Sequence, residues 1–174
     1  LHVPPEPPTE AELSALREEL SAVLAGLGHE GDIESQCRER KDATTVSAAE
    51  APAVLEAEMD RMRERTLGEL DVDSANVDRI GAAGVSDASF NAKCDFAENT
   101  VVINTDPQLT RPWLRKLAVH EGYPGHALQF SLRREWYEDG RAPADGILSV
   151  VNCASSTTFE GIADSGLALL GAGT

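Results

Sequence analysis

Apolar residues recur at helical spacing along the N-terminal third of the chain. Leu13, Leu16, Leu20, Leu24 and Leu27 form one stripe, preceded by a Thr9/Glu12 capping box and followed by Gly28 and Gly31, which predicts a helix from about residue 10 to 28. A short polar helix follows over 33–41. A second capping box, Ser47/Glu50, with Pro52 in the first turn, opens a helix to about Leu70. Its apolar stripe is Leu55, Met59 and Met62, and its Glu58/Arg61 and Asp60/Arg63 pairs suit an exposed outer face. The period changes near residue 75. Ser89 to Asp95 alternates as a strand does, with Phe90, Ala92 and Cys94 on one side. After the turn-like Phe96-Ala97-Glu98-Asn99 comes the β-branched run Thr100-Val101-Val102-Ile103-Asn104. The two runs predict a hairpin. Thr110 then caps a helix with Pro112 in its first turn, and Trp113, Leu117 and His120 at i, i+4 and i+7 place His120 on the buried stripe. Two more helical segments are predicted, from about His126 to Glu138 and from about Asp145 to Leu170. The pattern is that of a mainly α fold with a small β-hairpin (α+β): an acidic helical region over 1–74 and a motif-bearing region over 75–174, folding as one compact domain.

Charge modifies this picture in one respect. The net charge is −15, and the first 74 residues hold 18 acids against 7 bases while the remainder holds 12 against 8. The acidity therefore belongs to the N-terminal helices, and neither nucleic acid nor an anionic membrane is an expected partner. Cys37, Cys94 and Cys153 are widely spaced and odd in number, which predicts buried free thiols in a reducing compartment. No apolar run reaches the length of a membrane span, and Leu1-His2-Val3-Pro4-Pro5 has no signal-peptide character. A cytoplasmic location is expected.

The chemistry concentrates in His120-Glu121-Gly122-Tyr123-Pro124-Gly125-His126, which holds two of the four histidines. Two histidines at i and i+4 sit about 40° apart around a helix and share one metal. Here the spacing is i and i+6, about 240° on an ideal helix. Pro124 removes a backbone donor and Gly125 accepts unusual dihedrals, so the pair breaks the helix and swings His126 back beside His120. A catalytic zinc site needs three protein ligands and one open position. His120 and His126 supply two. Glu160, a lone acid in an apolar, small-residue helix, is the third candidate. Asp164, one turn later, suits the acceptor for a ligating histidine's free ring N–H, and Gln129, one turn after His126, is a weaker candidate for the same service. Glu121 is not spaced to share the metal and suits the general base for the attacking water. Tyr123 has two readings, hydrogen bonding to a substrate oxyanion or packing. His2 and His29 lie outside the constellation and are expected to be solvated.

Val102-Ile103-Asn104-Thr105 followed by Leu117-Ala118-Val119-His120-Glu121-Gly122-Tyr123-Pro124-Gly125-His126-Ala127-Leu128-Gln129 resembles the signature of a large bacterial family with a His-Glu-x-x-Pro-Gly-His-x-x-Gln motif, grouped with the gluzincin-like metallopeptidases. Phe159-Glu160-Gly161 is similar to that family's downstream Glu-Gly-Trp-Ala segment. The resemblance covers about residues 75–170. It implies a helical metal-site core, zinc with Glu160 as the carboxylate ligand, and hydrolysis of a peptide or small amide. It also implies that the strand before the motif helix lines the cleft and pairs with an extended substrate. Ile162 stands where that family has tryptophan, and Asp164 where it has an apolar residue. Proteins with this signature are several times longer, so the resemblance implies a fragment, a minimal version, or an enzyme completed by a partner subunit or further chain. Two alternatives stay open beside the zinc hydrolase. One is a non-haem Fe(II) enzyme using the same residues as a 2-His-1-carboxylate set; the other is a non-catalytic metal-binding or interaction domain.

Overall fold

The computed structural model describes residues 6–73, 77–147 and 154–171, with the side chains of 154 and 155 left aside. Among these residues the chain is mainly helical with small sheets. It divides into two compact units, one ending at Thr45 and the other spanning Val46–Thr174. The division falls before the third helix and not near residue 75, because that helix contributes its apolar face to the motif-bearing unit.

The first unit pairs α1 (Glu10–Gly26) with α2 (Ile33–Ala43). Thr9 caps α1 through the reciprocal box with Glu12, and Asp32 caps α2 by accepting from the Ser35 N–H at 2.9 Å. The leucine stripe of α1 is not the buried seam its period predicts. Leu24 is buried, but Leu16, Leu20 and Leu27 are exposed, Leu16 at 59%. α2 is almost wholly polar and meets α1 through polar atoms, with Ser21 donating to Gln36 at 2.8 Å. His29, expected in solvent, is largely covered and stands 3.6 Å from the Glu39 carboxylate. Cys37 is exposed, contrary to the expected buried thiol; Cys94 is half-buried, and Cys153, like His2, lies outside the described residues.

The second unit begins at Val46, the second residue of the short strand β1 (Thr45–Val46), and α3 (Ala51–Glu69) runs through its centre. The Ser47 hydroxyl donates to the Glu50 carboxylate at 2.6 Å and accepts from the Glu50 N–H. Glu50 itself is the N-cap without a side-chain cap bond, so the pair closes a turn ahead of the helix and not the expected capping box. Leu55, Met59 and Met62 are buried as their spacing predicts. Glu58 is buried too, against the expectation of an outer face, since it accepts from both Arg61 and Arg115. A carboxylate leaves water here because two guanidiniums replace its hydration.

The predicted hairpin forms from β3 (Ala92–Asp95) and β4 (Thr100–Asn104), antiparallel, with Ala92 opposite Ile103 and Cys94 opposite Val101. A third strand, β2 (Gly81–Val85), runs parallel to β4 on its other side and gives the order β2-β4-β3. Gly81-Ala82-Ala83-Gly84-Val85 has almost no β-branched content; register with β4 and the packing of α3 make it a strand. Because β4 is central, it cannot accept an added strand. The edge strands are β2 and β3.

After β5 (Leu109–Thr110), Thr110 caps α4 (Arg111–Leu117), and α5 (His126–Glu138) and α6 (Ala154–Leu169) follow, with a 3-10 turn at Ala144–Ile147. Among the described residues no helix is long and apolar enough to cross a membrane.

Two glycines permit the approach of these elements. A β-carbon at Gly125 would sit 2.0 Å from the His120 carbonyl oxygen and 2.3 Å from that of Val119. One at Gly166 on α6 would lie 2.3 Å from Val119 Cγ1. We expect Gly125→Ala to cost at least about 2 kcal/mol, because the colliding atoms are backbone, and Gly166→Ala to cost less, because a side chain can shift. Thermal unfolding of both variants checks the order; an equally stable Gly125→Ala protein would contradict it.

Candidate metal centre

The helix that carries His120 widens before it breaks. After α4 the segment Ala118–Gly122 is π-helical, and the Tyr123 N–H reaches the Ala118 carbonyl at 3.1 Å. Tyr123 is extended, the Tyr123–Pro124 peptide is cis, and α5 starts at His126. Pro124 has no N–H to return, so the next donor, Gly125, bonds to the Val119 carbonyl at 3.1 Å. The loosening therefore begins at Ala118, ahead of the Pro-Gly pair to which sequence spacing assigns it. Its result is that the His120 and His126 rings stand edge to face with centroids 4.8 Å apart.

α6 brings the third donor. Glu160 Oε2 lies 3.3 Å from His120 Nε2, and its Oε1 lies 3.5 Å from His126 Nε2. The ligand atoms of His120, His126 and Glu160 all fall within 4.8 Å of one another. A tetrahedral ion with bonds of about 2.0–2.1 Å separates its ligand atoms by about 3.3–3.4 Å. The two histidine–carboxylate separations match that edge length through different Glu160 oxygens, and the donor set as a whole spans up to 4.8 Å. The three residues are therefore of the right kind and near enough to close on such an ion.

The far ring nitrogens are held as well. His120 Nδ1 is 3.2 Å from Asp164 Oδ1, and His126 Nδ1 is 3.2 Å from Gln129 Oε1. Gln129 is itself oriented, donating from Nε2 to the Phe159 carbonyl at 3.0 Å. With Nδ1–H donated outward, each Nε2 keeps its lone pair for the centre. Lys116 Nζ approaches Asp164 at 3.6 Å and completes that side.

Glu121 lines the same cleft as His126 and Glu160. Burial pushes its carboxyl pKa up; the neighbouring His126 and His120 pull it down, Glu160 raises it, and a hydrogen bond from the Cys94 backbone lowers it. That last bond uses the free edge of β3. Asn91 bonds to Asn104 across the hairpin, so the alternate residues Ala92 and Cys94 direct their backbone groups away from β4. Burial also raises the Cys94 thiol pKa, to about 12, which makes it an inert neighbour.

Of the residues singled out from sequence, His120, His126, Glu160, Asp164, Gln129 and Glu121 come together. Tyr123 does not join them. Its ring is buried in the core and its hydroxyl donates to the Asp78 carbonyl, and burial raises its pKa to about 12. Of its two readings, this placement is the packing one.

Sequence reasoning missed the walls. Phe96, Phe130, Arg133 and Phe159 enclose the cleft beside Glu121, His126 and Glu160. His126, Gln129, Phe130 and Arg133 occupy i, i+3, i+4 and i+7 of one helix, and that spacing was the available signal.

No family model, no curated protein and no solved structure matches this chain.

Proposed function

We propose that this chain is a zinc-dependent hydrolase of peptide or amide bonds, of the kind its signature resembles. One observation carries the reading: two histidines and a glutamate converge with their donor atoms within 4.8 Å of one another, with a second glutamate beside them in the cleft that is not part of the donor set.

The chemistry such an ion supplies when bound is polarisation of a carbonyl and acidification of water. The protein's own groups do the rest. Glu121 takes the proton of the attacking water as the new C–O bond forms, then passes it to the amide nitrogen as the C–N bond breaks. Asp164 and Gln129 hold the imidazoles in one tautomer. The outward backbone groups of Ala92 offer an extended peptide a short strand edge beside the cleft, the Cys94 backbone being bonded to Glu121.

The same three donors form a 2-His-1-carboxylate set, which also suits Fe(II). Glu121, beside the donors without joining them, favours hydrolysis. Anaerobic loading with Fe(II) followed by exposure to oxygen separates the two readings; we expect no iron-dependent oxygen uptake.

Purified protein should carry about one zinc per chain, and His126→Ala should lose it, as measured by metal analysis. Glu121→Gln should keep the zinc and lower hydrolysis by at least about 100-fold. Full activity in Glu121→Gln would remove the general-base assignment, and bound zinc without turnover on any peptide would favour a metal-binding domain.

Asp164→Ala should weaken zinc binding by about 10- to 100-fold, and Gln129→Ala by less, because a neutral amide raises imidazole basicity less than a carboxylate does. Competition against a chromogenic chelator gives both constants. Equal affinities in native protein and Asp164→Ala would show that the outer hydrogen bond does not tune the site.

A further inference from the structure

We propose that the cleft beside the three donors is a subsite for one aromatic or similarly large apolar side chain of the substrate, adjacent to the bond that is cut. This inference rests on the hydrolase reading above and names its substrate class.

The chain contains four phenylalanines, and three of them, Phe96, Phe130 and Phe159, wall this one cleft with Glu121, His126 and Glu160 at its other side. They come from three separate elements: the turn after β3, the middle of α5, and α6 next to Glu160. Phe96 and Phe130 are in ring contact, with centroids 3.9 Å apart. Phe96 is nonetheless 41% exposed, so part of this aromatic surface faces solvent where a ligand side chain would cover it. The cleft holds about 180 Å³, comparable with a cavity of about 150 Å³ that accepts one benzene ring.

Charge narrows the occupant further. An acidic side chain would meet Glu121 and Glu160. A basic one would meet Arg133, whose guanidinium lies 4.7 Å from the Phe159 ring centre and 5.1 Å from that of Phe130. Arg133 is held there by donating Nε–H to the Gly146 carbonyl at 2.5 Å. Either sign of charge would meet one attracting and one repelling group, so neither is favoured and both would lose hydration among the rings, while the ring faces remain favourable to apolar groups. Beyond Phe96, Phe130 and Arg133 a second cavity of about 210 Å³ begins, where Ile80, Ala127 and Ile147 are joined by Asp78, Asn99, Ser131 and Arg134.

The test uses zinc-loaded protein and blocked peptides identical except for one residue flanking the scissile bond, on either side. We expect kcat/KM for phenylalanine to exceed that for alanine by at least about tenfold, with aspartate and lysine below alanine. Phe130→Ala, and separately Phe96→Ser in the exposed turn, should bring the phenylalanine-to-alanine ratio toward one at unchanged zinc content. A binding measurement stands apart from turnover: the hydroxamate of phenylalanine should bind the zinc-loaded protein at least about tenfold more tightly than that of alanine, and lose the advantage in both variants. A ratio near one in native protein, or a preference kept in both variants, overturns the subsite. Zinc-loaded protein that cleaves nothing overturns the hydrolase reading alone, and the hydroxamate ranking still decides the subsite. Protein that binds no zinc overturns both.

Discussion

Backbone carbonyls at Val119 and His120 come so near to Gly125 that a β-carbon there would overlap both, and everything else at the centre depends on that approach. An α-helix continued from α4 would carry His120 and His126 to opposite faces. The π-helical turn opens room, Pro124 interrupts the donor series, and the Gly125 N–H closes the loop onto Val119. Only then does α5 start with His126 beside His120. Replacing the glycine would strain the element that sets the spacing of the two imidazoles.

A second close approach completes the centre. α6 lies against Val119 and Pro124 at Gly166, and from that position it presents Glu160 and Asp164 to the two ring nitrogens of His120. The carboxylates thus have different tasks although they sit one turn apart on one helix. Glu160 faces both Nε2 atoms, while Asp164 takes the Nδ1 side of His120 alone. Gln129 serves His126 from the same helix as the histidine itself. The three donors and their supports come from three elements, and small residues at two contacts let those elements pack without a gap.

Periodic and capped segments are legible in the amino-acid sequence. The Thr9 box, the Leu55-Met59-Met62 stripe, the Thr110 cap and the β3–β4 hairpin all form where spacing places them. What escapes such reading is decided by neighbours. The α1 stripe has helical period, yet its partner α2 is polar, so most of its leucines stay exposed. Glu58 looks like a surface acid and is buried by two arginines, one of them 57 residues away. β2 has too little strand character to announce itself and exists because β4 has a second edge. Tyr123 lies inside the motif but turns its hydroxyl into the core, a choice of rotamer that spacing does not encode.

The sequence by itself determined the donor types, the helix break between the two histidines, and the four-residue step that puts Glu160 and Asp164 on one face. These are local properties, set by backbone chemistry within a few turns. Only the tertiary structure decided that α6 lies against the break, that the Cys94 backbone on a free strand edge meets Glu121, and that three phenylalanines from distant elements share one wall. Those outcomes depend on which surfaces pack together. Packing is a property of pairs of elements, and no single segment carries it.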